Sequence, residues 1–439
     1  MAEAKKKESH AKTRKREEEK GNGLSSPLSR WSMLPIREAY RFTSKPRGMK
    51  AEKGATMPFL PMDQIPIGRV NVLTYEERAA ESITSGTYIE NGDLLVAKIT
   101  PSFENGKQAI VKWDRPYGYA TTEVIPIQDI EGVSDKHYLF HLLLHPEIRS
   151  GLAGKMDGTT GRQRLSKETL GSCLIPFPPL SEQRSIATIL GQVQKAIEEQ
   201  EKLLALTAEL KRTLLHQFFT QGLRNEPQKQ TDIGPVPKSW EVVPLGDYLT
   251  IAQYGSSAKG GETGKYALLR MTNQQYGRIV RNKLQYVDLE KQEYLKFRVA
   301  NDDILFNRTN SFELVGRTTL FDLDGDYVFA SYLIRLRTDA KRLSSHFLNH
   351  YFNAEETQRR LKGIATRAVS QSNISATRLR GFSVPLPSIK EQVEIVEALD
   401  AVDLKTGGHR RRHATLSALF RTLLHQLMTG QILARSTHE

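Results

Sequence analysis

The sequence predicts a tandem of two α/β (α+β) domains, each followed by a long helix, with the two helices paired as an antiparallel coiled coil of pseudo-two-fold symmetry. Two observations indicate this fold class. The motif IPFPPLSEQ (175–183) returns as VPLPSIKEQ (384–392), and RTLLHQ occurs at both 212–217 and 421–426. The anchors of the two copies keep one spacing, because Glu182 lies 209 residues before Glu391 and Arg212 lies 209 residues before Arg421. The equal spacing of these anchors predicts two like halves joined to rigid spacers.

Both spacers carry the apolar 4-3 repeat that is typical of coiled coils. The second spacer places apolar residues on this repeat around a polar centre: Ile395, Leu399, Val402, then Thr406, His409 and His413, then Leu416, Phe420, Leu423 and Leu427. The first spacer follows it with Ile186, Leu190, Val193 and Ile197, and after Gln200 we expect the seam to shift to Leu203, Leu206, Leu210 and Leu214. Roughly 40 residues predict a helix of about 60 Å. The alternative is a pair of ordinary core helices, and Gly407-Gly408 predicts a weak point in the second helix.

The repeat extends through the segments before the helices. Trp31 matches Trp240 and Leu170 matches Leu379, again 209 residues apart. Each half has β-rich runs, DLLVAKI with KQAIVKW and DILFNRT with GRTTLF, then a helical segment, a polar turn and the long helix. The predicted organisation is a disordered charged tail (1–30), domain 1 (31–173), helix 1 (174–224), a Pro- and Lys-rich linker (225–239), domain 2 (240–382), helix 2 (383–432) and a short tail (433–439).

Composition narrows the class of partner. The formal net charge of +13 favours an anionic partner, with nucleic acid ahead of an acidic membrane surface. A single cysteine, Cys173, excludes an internal disulfide framework and a cysteine-rich zinc site. No apolar run approaches the ~18 residues of a membrane span, and the N-terminus lacks the apolar core of a secretory signal. We therefore expect a cytoplasmic protein without a membrane partner.

No sequence motif indicates catalysis. A phosphate-binding GxxxxGK[ST], a GxGxxG after a strand and a zinc-binding HExxH are all absent from the sequence. A cluster of acids could imitate a metal-dependent nuclease site, namely Asp302, Asp303, Asp322, Asp324 and Asp326. The first half has only Asp93 at the matching place, and acids are common in turns. The repeated His216 and His425 are typical of a helix interface. The prediction is therefore no catalytic residue, no metal and no cofactor.

Polar loops of both halves carry side chains that can read base edges. Arginine pairs with guanine, asparagine or glutamine pairs with adenine, and lysine holds phosphate. The candidate DNA-binding residues are Lys98, Thr100, Lys107, Arg162, Gln163 and Arg164 in the first half, and Arg270, Asn273, Gln274, Gln275, Arg308, Asn310, Arg317, Arg367, Ser370 and Gln371 in the second. Any one of them could instead belong to a solvated polar face. Because these loops differ between otherwise similar halves, they favour readers of two different sequences.

Several motifs together resemble the specificity subunits of type I restriction-modification enzymes. They are NGDLLVAKITPSFENGK (91–107), MDGTTGRQRL (156–165), IPFPPLSEQ, and IGPVPKSWEVVPLGD (233–247). The resemblance implies a non-catalytic subunit that reads a bipartite, asymmetric site in double-stranded DNA, one target-recognition domain per half-site, with the helix pair setting the spacer. It also implies two methyltransferase subunits that use S-adenosylmethionine, and restriction subunits that use ATP and Mg. They would dock on the outer helix edges and the RTLLHQ segments, through Arg212, Leu215, His216, Arg421, Leu424 and His425.

Two other classes of function remain open at this point. One is a stand-alone helical scaffold that binds nucleic acid without sequence preference, which strong salt dependence without a specificity ratio would support. The other, less favoured, is a nuclease or methyltransferase in its own right.

Overall fold

The computed structural model describes residues 31–49, 54–159, 161–367 and 371–434. They form two compact units. Unit 1 combines the described residues up to Lys202 with those from Arg410 onwards, and unit 2 is Leu203–His409. Each long helix therefore contributes residues to both units. In this part of the chain, no helix has the length and apolar character to cross a membrane. The predicted tail at 1–30 lies outside the described residues.

Unit 1 is built from short strands and helices that precede the first long helix. The strands are β1 Ser32–Pro35, β2 Tyr40–Phe42, β3 Thr56–Leu60, β4 Asn71–Val72, β5 Glu76–Ala79, β6 Thr87–Glu90, β7 Leu94–Ala97, β8 Gln108–Val111, β9 Tyr117–Ala120, β10 Val124–Asp129, β11 Asp157–Thr159, β12 Arg162–Arg164 and β13 Leu174–Phe177. The helices are α1 Ile36–Ala39, α2 Lys136–Leu142, α3 Pro146–Ala153 and α4 Lys167–Gly171, and the first long helix is α5 Leu180–Gln221.

The strands of unit 1 form two main sheets, in the orders β2-β10-β7-β8-β4 and β5-β3-β9-β6. Strands β7 and β8 pair antiparallel, as their apolar runs predict, and both are buried along their whole length. Strand β1 pairs with β13, which leads into α5. The start of the domain is thereby fastened to the strand that precedes the long helix.

Unit 2 repeats this arrangement. Its strands are β14 Gln228–Thr231, β15 Gly234–Pro237, β16 Glu241–Pro244, β17 Leu249–Tyr254, β18 Tyr266–Leu269, β19 Gln274–Gln275, β20 Arg278–Ile279, β21 Gln285–Val287, β22 Ile304–Asn307, β23 Thr309–Asn310, β24 Thr318–Leu320, β25 Tyr327–Phe329, β26 Leu333–Thr338, β27 Thr366–Arg367, β28 Ser372–Asn373 and β29 Ser383–Leu386. Its helices are α6 Lys291–Phe297, α7 Ser345–Asn353, α8 Glu355–Gly363, α9 Ala376–Arg380 and the second long helix α10 Ile389–Met428.

The sheet topology of unit 2 matches that of unit 1. The main sheet runs β17-β26-β22-β24-β20-β19, and β16 pairs with β29 as β1 pairs with β13. The chief difference lies where unit 1 has strand β6, because unit 2 has helix α6 there, followed by a single bridge between Arg298 and Val328. The tandem α+β fold class predicted from the sequence is confirmed.

A tryptophan and a glutamate make the same contact in both units. The indole Nε1 of Trp31 donates to Glu182 at 3.0 Å, and that of Trp240 donates to Glu391 at 3.0 Å. Each glutamate lies in the first turn of a long helix, where a negative charge is favoured by the helix dipole. The repeated Glu-Gln pair therefore begins a helix and fixes it to the start of its own domain.

The glutamine of the repeated Glu-Gln pair also makes the same contacts in both units. Gln183 accepts from the backbone N–H of Asp135 at 2.9 Å and donates to the carbonyl of Pro178 at 2.9 Å. Gln392 makes the equivalent bonds with Ser344 and the Pro387 carbonyl, at 2.7 and 3.0 Å. Both glutamines are fully buried. An unpaired backbone group would otherwise remain in the core, which is costly, so the glutamine is a structural requirement.

The two long helices pack together within each unit. Each core contains residues of both helices: Ile186, Leu190, Leu424 and Leu427 in unit 1, and Leu215, Phe218, Ile395 and Leu399 in unit 2. Two contacts in unit 2 show that the helices run antiparallel. Lys211 contacts Asp403, whereas Leu223, which follows Lys211 in the sequence, contacts Glu391, which precedes Asp403. Helix α10 continues through Gly407 and Gly408, where the sequence predicts a weak point.

The predicted shift of the seam after Gln200 is wrong. Three of the four leucines of the predicted seam are exposed, Leu203 by 37%, Leu206 by 55% and Leu210 by 48%, whereas Leu214 is partly buried against the core of unit 2. Helix α5 keeps its original repeat instead, with the partly buried positions Leu204, Thr207 and Lys211. Lys211 is accommodated because its Nζ contacts both carboxylate oxygens of Asp403, at 2.6 and 2.7 Å. A search for apolar residues alone overlooks the position of Lys211, which an ion pair with Asp403 makes compatible with the helix interface.

Equivalent buried aspartates have different partners in the two units. Asp93 is fully buried and accepts from Thr43 Oγ1 at 2.7 Å, and burial raises the pKa of its carboxyl to about 6. Asp303 is also fully buried, but Arg337 binds both of its oxygens, at 2.7 and 2.9 Å. Unit 1 has Gln128 at the position of Arg337. The two domains thus share a buried acid and differ in how its charge is compensated.

The predicted linker is not a plain coil. Its strands β14 and β15 pair as an antiparallel hairpin, with Gln228 opposite Pro237 and Thr231 opposite Gly234. Val236 of this hairpin is buried, with 1% of its surface exposed. The Pro- and Lys-rich composition predicts a boundary between the halves, and within this segment Val236 and Pro237 are buried as part of unit 2.

Candidate nucleic-acid interface

In unit 1 the backbone brings most of the predicted DNA-binding residues together. The segment predicted as a polar turn is the hairpin β11–β12, and β12 consists of Arg162, Gln163 and Arg164. The N–H of Thr100 donates to the carbonyl of Gln163 at 3.0 Å, and the N–H of Leu165 donates to that of Lys98 at 2.7 Å. One polar surface, termed surface 1, therefore contains Lys98, Thr100 and the three residues of β12.

The charges of surface 1 are partly held in place by the protein. Arg164 is exposed and donates to both carboxylate oxygens of Glu123, at 3.1 and 2.7 Å. Thr100 Oγ1 donates to Glu104 at 2.9 Å, and Arg162 is exposed. Surface 1 thus presents two exposed guanidinium groups, one of which is oriented by Glu123. This composition is suited to the phosphate backbone of a nucleic acid and to guanine edges.

Unit 2 forms the equivalent surface from different side chains. Strand β23 pairs with β28 so that Thr309 lies opposite Asn373, and the N–H of Ile374 donates to the carbonyl of Arg308 at 2.9 Å. This arrangement places Arg308 and Asn310 beside the exposed Gln371. Surface 2 is the name used for Arg308, Asn310, Arg367 and Gln371.

Aromatic side chains orient the arginines of surface 2. The guanidinium of Arg308 lies 4.5 Å from the ring centroid of Tyr254 and donates to Asn373 Oδ1 at 3.3 Å. That of Arg367 lies 3.9 Å from the ring centroid of Phe312. Cation–π contact of this kind limits the rotamers of arginine. The sequence reasoning missed both rings, although the interleaving of aromatic with basic residues near the loops was a usable signal.

Four further candidates in unit 2 differ in their access to solvent. Asn273 is fully buried, and its Nδ2 donates to the carbonyls of Val280 and Asn282 at 3.1 and 3.0 Å. Gln274 is 6% exposed and donates to the carbonyl of Leu305 at 2.8 Å. These two amides hold the loop and do not face solvent, so we remove them from the candidate interface. Arg270 is half-buried and donates to the Lys283 carbonyl, whereas Gln275 is exposed on β19.

The remaining candidates lie next to the surfaces already described. Lys107 is half-buried, and its carbonyl accepts from the N–H of Ala97 at 3.1 Å, one residue before Lys98. Arg317 is exposed, and its carbonyl accepts from the N–H of Asn307 at 2.8 Å, one residue before Arg308. Both are therefore candidates for contacts at the edge of each surface. Ser370 lies outside the described residues.

The predicted subunit-docking residues divide into two groups. Arg212, His216, Arg421 and His425 are exposed on the long helices, and Arg212 pairs with Glu209 at 2.7 Å. Leu215 and Leu424 are 8% and 4% exposed, because they pack in the core of their own unit. We therefore correct the docking surface by removing both leucines. The exposed large apolar residues of α5 are Leu203, Leu206 and Leu210.

One cluster in the described part of the chain has metal-binding side-chain types. Ligand atoms of His350, Asp400 and Asp403 lie within 4.8 Å of one another. Lys211 already contacts both oxygens of Asp403, and His350 Nε2 contacts Asp400 at 3.0 Å. Two of the acids considered for a nuclease site are bound by arginines, since Asp303 binds Arg337 and Asp322 binds Arg278. Ion pairing within the protein accounts for both groups.

Comparison with known protein families gives a match in each half of the chain. The family model of the type I restriction modification DNA specificity domain matches residues 63–208 and 237–418. A proposed type I restriction enzyme specificity subunit, MjaX of Methanocaldococcus jannaschii, is 29% identical over 219 residues, which are 49% of this chain and 51% of that protein. The StySPI specificity subunit of Salmonella potsdam is 24% identical, with 84% of this chain and 81% of that protein covered.

The fold comparison points the same way. The crystal structure of the type I restriction-modification S subunit from M. genitalium has a TM-score of 0.59 to this chain, at 15% identity, over 92% of this chain and 98% of that one. At this identity the likeness concerns the fold, whereas the two family-model matches cover most of the sequence. The chain therefore belongs to the type I restriction-modification DNA specificity domain family, with one copy of the domain in each half.

Proposed function

We propose that this specificity subunit reads a bipartite, asymmetric site in double-stranded DNA. Surface 1 contacts one half-site and surface 2 contacts the other. The paired long helices set the number of unread base pairs between them. The protein itself forms and breaks no covalent bond, and it carries no cofactor.

The observation that carries this proposal is the contrast between the two surfaces. They share a backbone frame, since the bridge between Ile99 and Arg164 recurs as the pairing of Thr309 with Asn373. Their side chains differ: Lys98, Thr100 and Arg162 occupy positions that in unit 2 belong to Arg308, Asn310 and Gln371. One frame with two sets of hydrogen-bonding groups is suited to reading two different sequences.

We propose two kinds of protein partner. Two methyltransferase subunits would supply S-adenosylmethionine chemistry, and restriction subunits would supply cleavage driven by ATP with Mg. Leu203, Leu206 and Leu210 recur at spacings of three and four on one face of α5 and are more than one-third exposed. Burying such a stripe against a partner helix would remove apolar area from water, at about 25 cal/mol per Å². This stripe replaces Leu215 and Leu424 as the proposed apolar contact.

Substitution of surface 1 should relax one half-site only. We expect Arg162→Ala, Gln163→Ala and Arg164→Ala together to permit any base at one or two positions of one half-site, since each base contact contributes roughly 1–3 kcal/mol of discrimination. The measurement is single-molecule sequencing of methylated positions in host DNA with the assembled complex. Arg367→Ala with Gln371→Ala should affect the other half-site. Lys195→Ala removes an exposed charge elsewhere and serves as the control. Equal relaxation of both half-sites by one variant would contradict the assignment.

A charge on the leucine stripe should prevent assembly while leaving the fold intact. We expect Leu206→Asp to lower the affinity for the methyltransferase subunit at least tenfold, because Leu206 is 55% exposed in the free chain and would be desolvated in the complex. Sedimentation of the mixture measures the loss. Glu199→Asp, at another exposed position of α5, is the matched control. Unchanged affinity of the Leu206→Asp variant would place the docking surface elsewhere.

A scaffold that binds nucleic acid without sequence preference is the alternative function. It requires strong salt dependence and equal affinity for methylation-site and unrelated duplexes. Binding to the two duplexes at one salt concentration separates the alternatives, because a specific reader has a ratio of typically 10³ or more.

A further inference from the structure

Unit 2 contains a cavity of about 420 Å³ beside the end of α5. Its walls include residues of α5, of hairpin β14–β15 and of the turn between α7 and α8: Leu215, His216, Phe219, Val236, Tyr351 and Ala354. All of these belong to the same compact unit. The cavity is therefore a feature of one domain and of the hairpin packed on it.

In the described part of unit 1, a histidine pair lies at the positions that match Ala354 and His216. His145 lies 209 residues before Ala354, and His425 lies 209 residues after His216. The His145 ring stacks on that of His425, with centroids 5.4 Å apart and planes inclined by 21°. Nε2 of His145 lies 3.2 Å from Nδ1 of His425, and His145 is only 1% exposed. Unit 1 thus shows which kind of group this place accepts.

The exchange of histidine for alanine removes that ring from unit 2. Both residues directly precede a helix, since His145 caps α3 and Ala354 caps α8. The backbone frame is therefore retained, and the missing imidazole leaves space next to His216. A cavity of roughly 150 Å³ already accommodates a benzene-sized ring, so the volume in unit 2 is sufficient for one aromatic side chain.

The arginines around the cavity are held by contacts within unit 2. Arg212 pairs with Glu209 at 2.7 Å, and Arg359 pairs with Glu356 at 3.0 Å. Arg360 donates to the Tyr351 hydroxyl at 2.6 Å and also to the Ser383 carbonyl. Each lining arginine already has a partner within unit 2. A neutral ring can stack on His216 against the apolar part of the wall without displacing any of these contacts.

We propose that this cavity receives one aromatic or histidine side chain of a methyltransferase subunit, stacked on His216 in the manner of His145 on His425. The identity of the partner rests on the proposed function. The socket exists in unit 2, whereas unit 1 has the ring of His145 at the position of Ala354, stacked on His425. The two halves therefore offer unequal docking places despite their repeated sequence, and a partner that inserts the ring binds more tightly to unit 2.

The first test uses indole as the probe and the full chain alone. With histidine rings labelled by ¹³C and the His216 signal assigned from His216→Gln, indole is expected to shift that signal saturably. Ala354→His should abolish the shift by restoring the pair found in unit 1. Inorganic phosphate should leave the signal in place. No saturable shift with indole, an equal shift with phosphate, or full indole binding by Ala354→His would overturn the proposal.

The matched control is made in unit 1. His145→Ala is expected to open the corresponding space and to give the His425 signal a new, saturable response to indole. If His145→Ala unfolds unit 1, His145→Ser at the same position provides the opening, and thermal unfolding verifies both folds. An unresponsive His425 in a folded variant would contradict the equivalence of the two places.

The second test concerns the partner. In sedimentation of the chain with its methyltransferase subunit, Ala354→His should weaken one of the two binding steps by about 10- to 100-fold, the loss typical of a buried aromatic contact. Ala354→Leu, which fills the space without a histidine, should do the same. Unchanged affinity in both folded variants refutes the ring insertion. If the unaltered chain does not bind the methyltransferase subunit at all, the proposed function is refuted. Indole binding to the cavity would remain valid, because it is measured without the partner.

Discussion

Replacing Arg337 with glutamine is expected to lower the free energy of unfolding of unit 2 by roughly 3 kcal/mol. Asp303 has no exposed surface, and Arg337 is the side chain that binds both of its oxygens. Removal of one partner leaves a buried charge uncompensated. Because the side chain of Arg337 is 40% exposed, we expect a loss of stability at the lower end of the range for buried ion pairs. Hydrogen exchange of peptides from β22 and β26 measures the stability of unit 2 separately from that of unit 1. A separate measurement is needed because a chain of two domains has no single free energy of unfolding.

The same variant should depend on pH in a defined direction. Asp93, which lacks the arginine, has a pKa that burial raises to about 6. If Asp303 behaves likewise in Arg337→Gln, its folded-state pKa rises above the unfolded value of about 3.9. The folded state then binds more protons between these values, so the loss of stability should become smaller as the pH falls from 8 to 5. A loss that is constant over this range would show that the removed contact is packing and not charge.

Two controls separate charge from packing. Gln128→Arg transfers the arginine to unit 1, where it should lower the pKa of Asp93 and slow hydrogen exchange in β7 and β10. Asp303→Asn removes the buried charge, so adding Arg337→Gln to it should cost well under 3 kcal/mol. An equal cost in both backgrounds would contradict the pairing argument.

The repeat made most of the fold predictable, and the exceptions have physical causes. Two like halves with one spacing required one topology twice, and the 4-3 repeat placed Ile186 and Leu427 in the cores. The shifted seam was wrong because hydrophobicity was taken as the only reason for burial. Lys211 shows that a charge can occupy such a position when Asp403 lies opposite.

The candidate interface was predictable in part, for a different reason. Arg162 and Arg164 lie on one short strand, so their spacing in the sequence already placed them together. Asn273 and Gln274 have the chemistry of base readers, but whether an amide faces DNA or a backbone carbonyl depends on loop geometry. The stacking of Arg308 on Tyr254 joins residues 54 positions apart, and no local pattern encodes it.

Deleting one heptad from each long helix is expected to shorten the spacer of the recognised site by about 3 base pairs. Residues 195–201 and 413–419 lie opposite each other, because Glu201 contacts His413 at the ends of these segments and the helices run antiparallel. Their joint removal eliminates this contact as a whole and leaves the exposed leucine stripe at 203, 206 and 210 in place. Seven residues correspond to about 10.5 Å of helix, which is close to three steps of 3.4 Å along DNA.

A deletion of seven residues also preserves the packing between the two helices. A heptad returns the apolar stripe to within about 20° of its original face, so Ile395 and Leu399 can keep their partners. Single-molecule sequencing of methylated host DNA should then reveal both half-sites unaltered at the new spacing. Deletion of four residues from each helix is the contrasting variant, since it rotates the stripe and should reduce assembly. Methylation that retains the original spacing in the heptad variant would show that the helices do not set the distance.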